Sequence, residues 1–265
     1  MKIPIYQVDA FTDRLFGGNP AAVCPLEEWL EAGKMQTIAA ENNLSETAFF
    51  VKSGDGFEIR WFTPAVEIDL CGHATLASAH VIFNHTGFSG DTITFQSNQS
   101  GELRVTRSGD LLTLDFPANK PEPVEMLPCQ LKNGLGKEPA ALYSARDLLA
   151  LYENEEDILA IEPDFEALSD VLNTADCLGM IVTAPGKESD FVSRFFAPLA
   201  GINEDPVTGS AHTLLVPFWA ERLGKEKMHA YQVSRRRGEL FCELKGDRVL
   251  IGGRAVTYLE GEIDV

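Results

Sequence analysis

Hydrophobic and polar residues alternate along much of this chain. In the first half the alternation predicts strands at residues 3–11, 47–51, 57–62, 92–95, 103–105 and 112–116. In the second half it predicts strands at 148–152, 180–183, 191–196, 231–233, 240–244, 249–251 and 256–259. Lys245-Gly246-Asp247-Arg248 reads as a hairpin turn. Residues 27–41 read as a helix with charges on one side and Leu30, Ile38 and Ala39 on the other, and 164–172 as a shorter helix. Two further helical segments, 73–83 and 210–223, have first turns that are apolar nearly all round. Such a helix belongs inside a protein. Each lies between strands, so the pattern predicts a sheet wrapped around a central helix, once per half.

The halves also share a written motif. Arg60-Trp61-Phe62-Thr63-Pro64 is followed by Cys71-Gly72-His73-Ala74-Thr75 and an apolar run to Phe83. Arg194-Phe195-Phe196-Ala197-Pro198 is followed by Pro206-Val207-Thr208-Gly209-Ser210 and an apolar run to Phe218. A repeat of this length implies two similar domains with a cleft between them. The proline-rich stretch 117–128 is the expected linker. The expected division is 1–118 for the first domain and 119–253 for the second.

Composition narrows the function. The chain has 265 residues, 45% hydrophobic and 23% charged, which suits a globular protein with a full core. A formal charge of -18 makes phosphate backbones and anionic lipid poor partners, so nucleic acid and membranes are not expected. Five cysteines without close spacing read as free thiols in a reducing compartment. No export signal or spanning segment is evident, so the expected location is cytoplasmic.

The candidate chemistry gathers at the repeat. Each buried helix starts at a glycine-bearing turn, Cys71-Gly72-His73 or Thr208-Gly209-Ser210. The first turn of a helix has unpaired N–H groups and a partial positive charge, and glycine lets a ligand come close. The two turns therefore suit a carboxylate, with Ser210 adding a hydroxyl, unless Thr208 or Ser210 simply caps its own helix. Glu46, in Asn43-Leu44-Ser45-Glu46-Thr47-Ala48-Phe49, is either a partly desolvated acid/base or a solvated residue at a strand start. His73 can hold a proton near neutral pH. Asp205 could orient it, stabilise charge on a substrate amine, or be a turn residue before Pro206. Cys71 is either a reactive thiol at a helix start or a buried inert one. A two-thiol racemase needs a second cysteine, and the matching position is Pro206, or Thr208 if the alignment slips. His73 and His80 share a helix face without a third ligand, so no metal site is expected. The cluster Arg235-Arg236-Arg237 would draw an anionic substrate or pair with surface acids.

Phe11-Thr12, Phe16-Gly17-Gly18-Asn19-Pro20-Ala21-Ala22-Val23, the Glu46 segment, Cys71-Gly72-His73-Ala74-Thr75 and Glu204-Asp205-Pro206-Val207-Thr208-Gly209-Ser210-Ala211-His212 together resemble the PhzF family of phenazine-biosynthesis-type isomerases. The resemblance implies an α+β, diaminopimelate-epimerase-like fold of two pseudo-symmetric halves, each a barrel-like sheet around one helix. A last strand at about 254–265 would return to the first half. It also implies an isomerase without a cofactor, acting on a small carboxylate, and a homodimer. On that pattern Glu46 is the general acid/base, supported by His73 and Asp205, and Gly72, Gly209, Ser210 and Asn19 bind substrate. The expected reaction moves a proton on an unsaturated or cyclic amino or hydroxy carboxylate. A racemase using Cys71 and a non-catalytic binder of small molecules are the alternatives.

Overall fold

The computed structural model describes residues 1–125 and 130–265. Pro128, at the end of the expected linker, and Cys129 lie outside the described residues. The chain divides into two compact units, Met1–Phe116 with Leu250–Val265, and Pro117–Val249.

The first unit opens with β1 (Lys2–Ala10) and β2 (Asn19–Leu26), followed by α1 (Ala32–Asn42), β3 (Glu46–Ser53), β4 (Gly56–Phe62) and β5 (Glu67–Ile68). Then come α2 (Gly72–His85), β6 (Thr92–Ser97), β7 (Gly101–Ser108) and β8 (Leu111–Pro117). β1 runs antiparallel to β2, β2 parallel to β3, β3 antiparallel to β4, and β4 parallel to β6. No strand is expected at β2 from the sequence pattern, because Pro20 and Pro25 interrupt it. Its register is set from outside, by β1 on one side and β3 on the other.

In β3 the side chains alternate between two faces. Phe49 and Val51 join Met35, Ile38 and Ala39 of α1 in one apolar cluster. The opposite face of β3 turns to α2, which packs against β1, β2 and β3. Ten of the fourteen residues of α2 are buried, from His73 to Phe83. A helix without a polar face can only be satisfied by such enclosure. The helix expected at 27–41 begins later, at Ala32, because Trp29 is drawn to the sheet, donating from Nε1 to Glu58 Oε2 at 2.9 Å.

The second unit repeats this plan. It holds β9 (Glu122–Pro123), α3 (Leu131–Leu135), β10 (Ala141–Ser144), β11 (Leu148–Leu151), α4 (Glu155–Leu159), α5 (Phe165–Ala175), β12 (Met180–Pro185) and β13 (Phe191–Ala197). After a 3-10 turn at Pro198–Ala200 follow β14 (Ile202–Asp205), α6 (Gly209–Leu223), β15 (Lys227–Gln232) and β16 (Gly238–Lys245), and then β17 (Arg248–Gly253), which passes into the first unit at Leu250. β11 is parallel to β12, β12 antiparallel to β13, and β13 parallel to β15, as β2, β3, β4 and β6 are in the first unit. Two short helices, α3 and α4, escape the periodicity reading because five residues give too little pattern. α6 is buried along most of its length, and its interior Pro217 is among the buried residues. β18 (Ala255–Asp264) then belongs to the first unit and runs antiparallel along β1.

Candidate active site

The first unit gathers Asn19, Glu46, Cys71 and His73 around one imidazole. Glu46 arrives there through its turn. Asn43, in the left-handed conformation at φ 48°, ends α1 by donating its N–H to Ala39 O. Asn42 Nδ2 then donates to Thr47 Oγ1 at 3.1 Å. These contacts fix the phase of β3, so Glu46 falls on the face toward α2. Glu46 is 7% exposed and His73 4% exposed. Glu46 Oε2 lies 3.1 Å from His73 Nε2. Neither atom finds a well-aligned hydrogen-bond partner, so the two groups are close without a strong bond between them.

The other ring nitrogen, Nδ1, faces Asn19 Nδ2 at 3.1 Å and Cys71 Sγ at 3.5 Å. Burial resists a charge on His73, but the neighbouring Cys71 and Glu46 outweigh it and hold its pKa well above the usual 6.5. Burial, with Glu46 adding to it, pushes the Cys71 thiol up to about 11, so Cys71 is a neutral thiol at pH 7.

Donor atoms of Glu46, Cys71 and His73 lie within 4.8 Å of one another. Cys71 and Glu46 nevertheless approach opposite nitrogens of the ring. That is the arrangement of a proton relay rather than of three donors converging on one ion, and a metal would need the thiolate.

In the second unit Asp205, Gly209 and Ser210 sit around one clamped turn. Thr208 is the N-cap residue of α6, yet its side chain makes no cap bond. Its Oγ1 instead donates to Asp205 Oδ2 at 2.5 Å. Fully buried Gln232 donates from Nε2 to Asp205 O at 2.8 Å and accepts at Oε1 from Thr208 N at 2.8 Å. Ser234 Oγ donates to Pro206 O at 2.8 Å. Gln232 and Ser234 carry no motif in the sequence; the nearby Arg cluster was the only signal there. Arg237 itself rests over the Tyr231 ring at 4.0 Å and pairs with Glu188 at 3.4 Å, so this cation is matched by a surface acid.

Ordinary capping is absent from both buried helices. α4 and α5 are capped by the side chains of Asn154 and Asp164, whereas α2 and α6 have no side-chain cap bond. Gly72 and Gly209 each occupy the first helical position. The N-cap equivalent of Cys71 is Thr208, so the second unit presents a hydroxyl where a paired thiol would stand.

The sequence profile of the phenazine biosynthesis-like proteins, PhzC-PhzF, matches residues 8–261. An uncharacterised isomerase of Pseudomonas aeruginosa is 49% identical over 263 residues, covering 99% of both chains. A solved PhzF-family structure from Enterococcus faecalis is 50% identical, with a TM-score of 0.95 and full coverage of both chains. The fold extends further: a hydroxyproline epimerase from Agrobacterium vitis shares it at a TM-score of 0.65 and 11% identity, covering 99% of this chain and 92% of that one. No described helix is long and apolar enough to cross a membrane. With an α+β fold of two similar units and a profile match over nearly its whole length, the chain belongs to the phenazine biosynthesis-like (PhzF) family and is an isomerase of that family.

Proposed function

We propose that the chain moves a proton on a small unsaturated or cyclic amino or hydroxy carboxylate, with Glu46 as general acid/base and no cofactor. The observation that supports this reading most is the Glu46–His73 pair, buried and 3.1 Å apart without hydrogen-bond alignment. A buried carboxylate facing a proton-holding imidazole can accept a proton from carbon and return it elsewhere. The developing carbanion must be delocalised and held by prearranged donors. His73, favoured in its charged form, is such a donor. The uncapped N–H groups at Gly72, and separately at Gly209 and Ser210, suit a carboxylate. Asp205, fixed by Thr208, supports charge on a substrate amine.

The test is incubation of cyclic and unsaturated amino and hydroxy carboxylates in heavy water, followed by proton NMR. Wild-type protein should exchange or relocate a C–H on a compound that Glu46→Gln still binds but leaves untouched. Near-wild-type turnover by Glu46→Gln refutes the role. A compound that binds tightly with no exchange in the wild type would favour a non-catalytic binder.

A further inference from the structure

Asn19 is a substrate-binding position on the sequence pattern, but its geometry points inward to the imidazole. We propose that Asn19 is a positioning residue acting through His73: its carboxamide, seated on Nδ1, fixes the neutral ring in the Nε2–H form that faces Glu46. The proposal deepens the reading of Glu46 as the base.

Asn19 is 0% exposed and begins β2 opposite Ala10. The residue before it, Gly18, has φ +58°, and a Cβ there would stand 2.0 Å from Ala10 O. The backbone that carries Asn19 is therefore locked by a contact only glycine permits. Three groups from three elements face the ring. Glu46 of β3 meets Nε2, while Asn19 of β2 and Cys71 at the start of α2 meet Nδ1. An amide nitrogen only donates, so at 3.1 Å it requires a lone pair on Nδ1 and leaves the hydrogen of the neutral ring on Nε2. When the ring takes a second proton at Nδ1, a half-turn of the amide presents Oδ1 as acceptor at nearly the same position. One side chain thus serves both protonation states of the ring. The neutral Cys71 thiol is a weak partner in either state and cannot replace it.

The experiment is nitrogen NMR of histidine-labelled protein, with the His73 signals assigned by their loss in His73→Gln. In the wild type, above its pKa, His73 should be the Nε2–H tautomer. Asn19→Asp offers only acceptors to Nδ1, so the His73 pKa should rise by about one unit, a tenfold gain in proton affinity. Asn19→Leu should transfer neutral His73 toward the Nδ1–H form. A wild-type Nδ1–H tautomer, or an unchanged His73 pKa in Asn19→Asp, overturns the proposal. If Asn19→Leu does not fold, the isosteric Asp variant and the wild-type tautomer decide. These readouts need no turnover. Active Glu46→Gln would therefore sink the catalytic reading, whereas an unmoved His73 signal would sink this one.

Discussion

At the start of α2, Thr75 Oγ1 donates to Cys71 O at 2.6 Å; at the start of α6, His212 Nδ1 bonds Thr208 O at 2.8 Å. Both contacts run from the fourth helical residue to the N-cap carbonyl. Upstream, Arg60 grips both carboxylate oxygens of Glu67 at 2.7 Å, and Arg194 grips those of Glu204 at 2.7 and 3.0 Å. Each guanidinium also lies over the second aromatic after it, Phe62 at 5.3 Å and Phe196 at 4.9 Å. The skeleton is thus repeated to the level of single hydrogen bonds, but the chemistry is not. Thr47 pairs with Phe62, and Met180 with Phe196, so the residue before each is Glu46 in one unit and Gly179 in the other. A Cβ on Gly179 would stand 2.3 Å from the Phe195 ring. The second unit has no room for a base at that point. The histidines diverge in the same way. His73 keeps its proton beside Glu46, whereas burial without a counter-charge pushes His212 down to about 4. The duplicated frame fixes where a helix start sits; one buried carboxylate decides whether that start can do acid/base work.

The sharpest way to break the comparison is Glu46→Gln. General acid/base help is worth roughly 100- to 10,000-fold, so turnover measured by solvent-deuterium exchange should fall by that much. The matching change, Gly179→Ala, should cost stability, about 1–3 kcal/mol by denaturant melts, and leave the rate per folded molecule unchanged.

The histidines give opposite pH dependences. The folded pKa of His212 lies below its unfolded value, so its contribution is present above about pH 6.5 and is lost as pH falls toward 4. A fully buried ring of this kind accounts for about 3 kcal/mol across that window. Urea melts between pH 7 and 4 should show a flatter stability curve for His212→Gln than for the wild type. His73 works in the other direction. Its stabilisation is complete below pH 6.5 and lost as pH rises through its elevated folded value, so His73→Gln should flatten the alkaline side.

The ion pairs differ by degree. Arg194 also donates to Ile158 O at 3.1 Å and Ile161 O at 2.8 Å, so its removal takes a charged donor from both carbonyls. Arg194→Ala should cost about 2 kcal/mol and Arg60→Ala about 1 kcal/mol or less, by the same melts. The smallest effect belongs to Cys71→Ala. With its thiol at about 11, Cys71 is no base at neutral pH, so the variant should keep most of its activity and thiol alkylation should not silence the wild type. Full loss of activity in either experiment would revive a thiol-dependent racemase.

Much of this architecture was legible in the residues. The helices expected at 73–83 and 210–223 are Gly72–His85 and Gly209–Leu223, because an apolar first turn with glycine before it has few other uses. The strand expected at 191–196 is Phe191–Ala197, and the helix at 164–172 extends to Ala175 behind its Asp164 cap. β2 was not legible, since its pairing with β1 and β3 comes from segments outside it. Nor was the clamp on α6, since Gln232 reads as an ordinary polar strand residue until its strand brings it beside Thr208.

The sequence by itself determined two enclosed helices, a repeated arginine–aromatic strand before each, and which side chains were available for chemistry. These follow from local periodicity and from a pattern written twice. Only the tertiary structure decided that Glu46 lies inside rather than in water, that Thr208 serves Asp205 instead of capping its helix, and that Asn19 meets an imidazole. Burial and hydrogen-bond partners are properties of pairs brought together from distant positions, and no window along the chain contains both members.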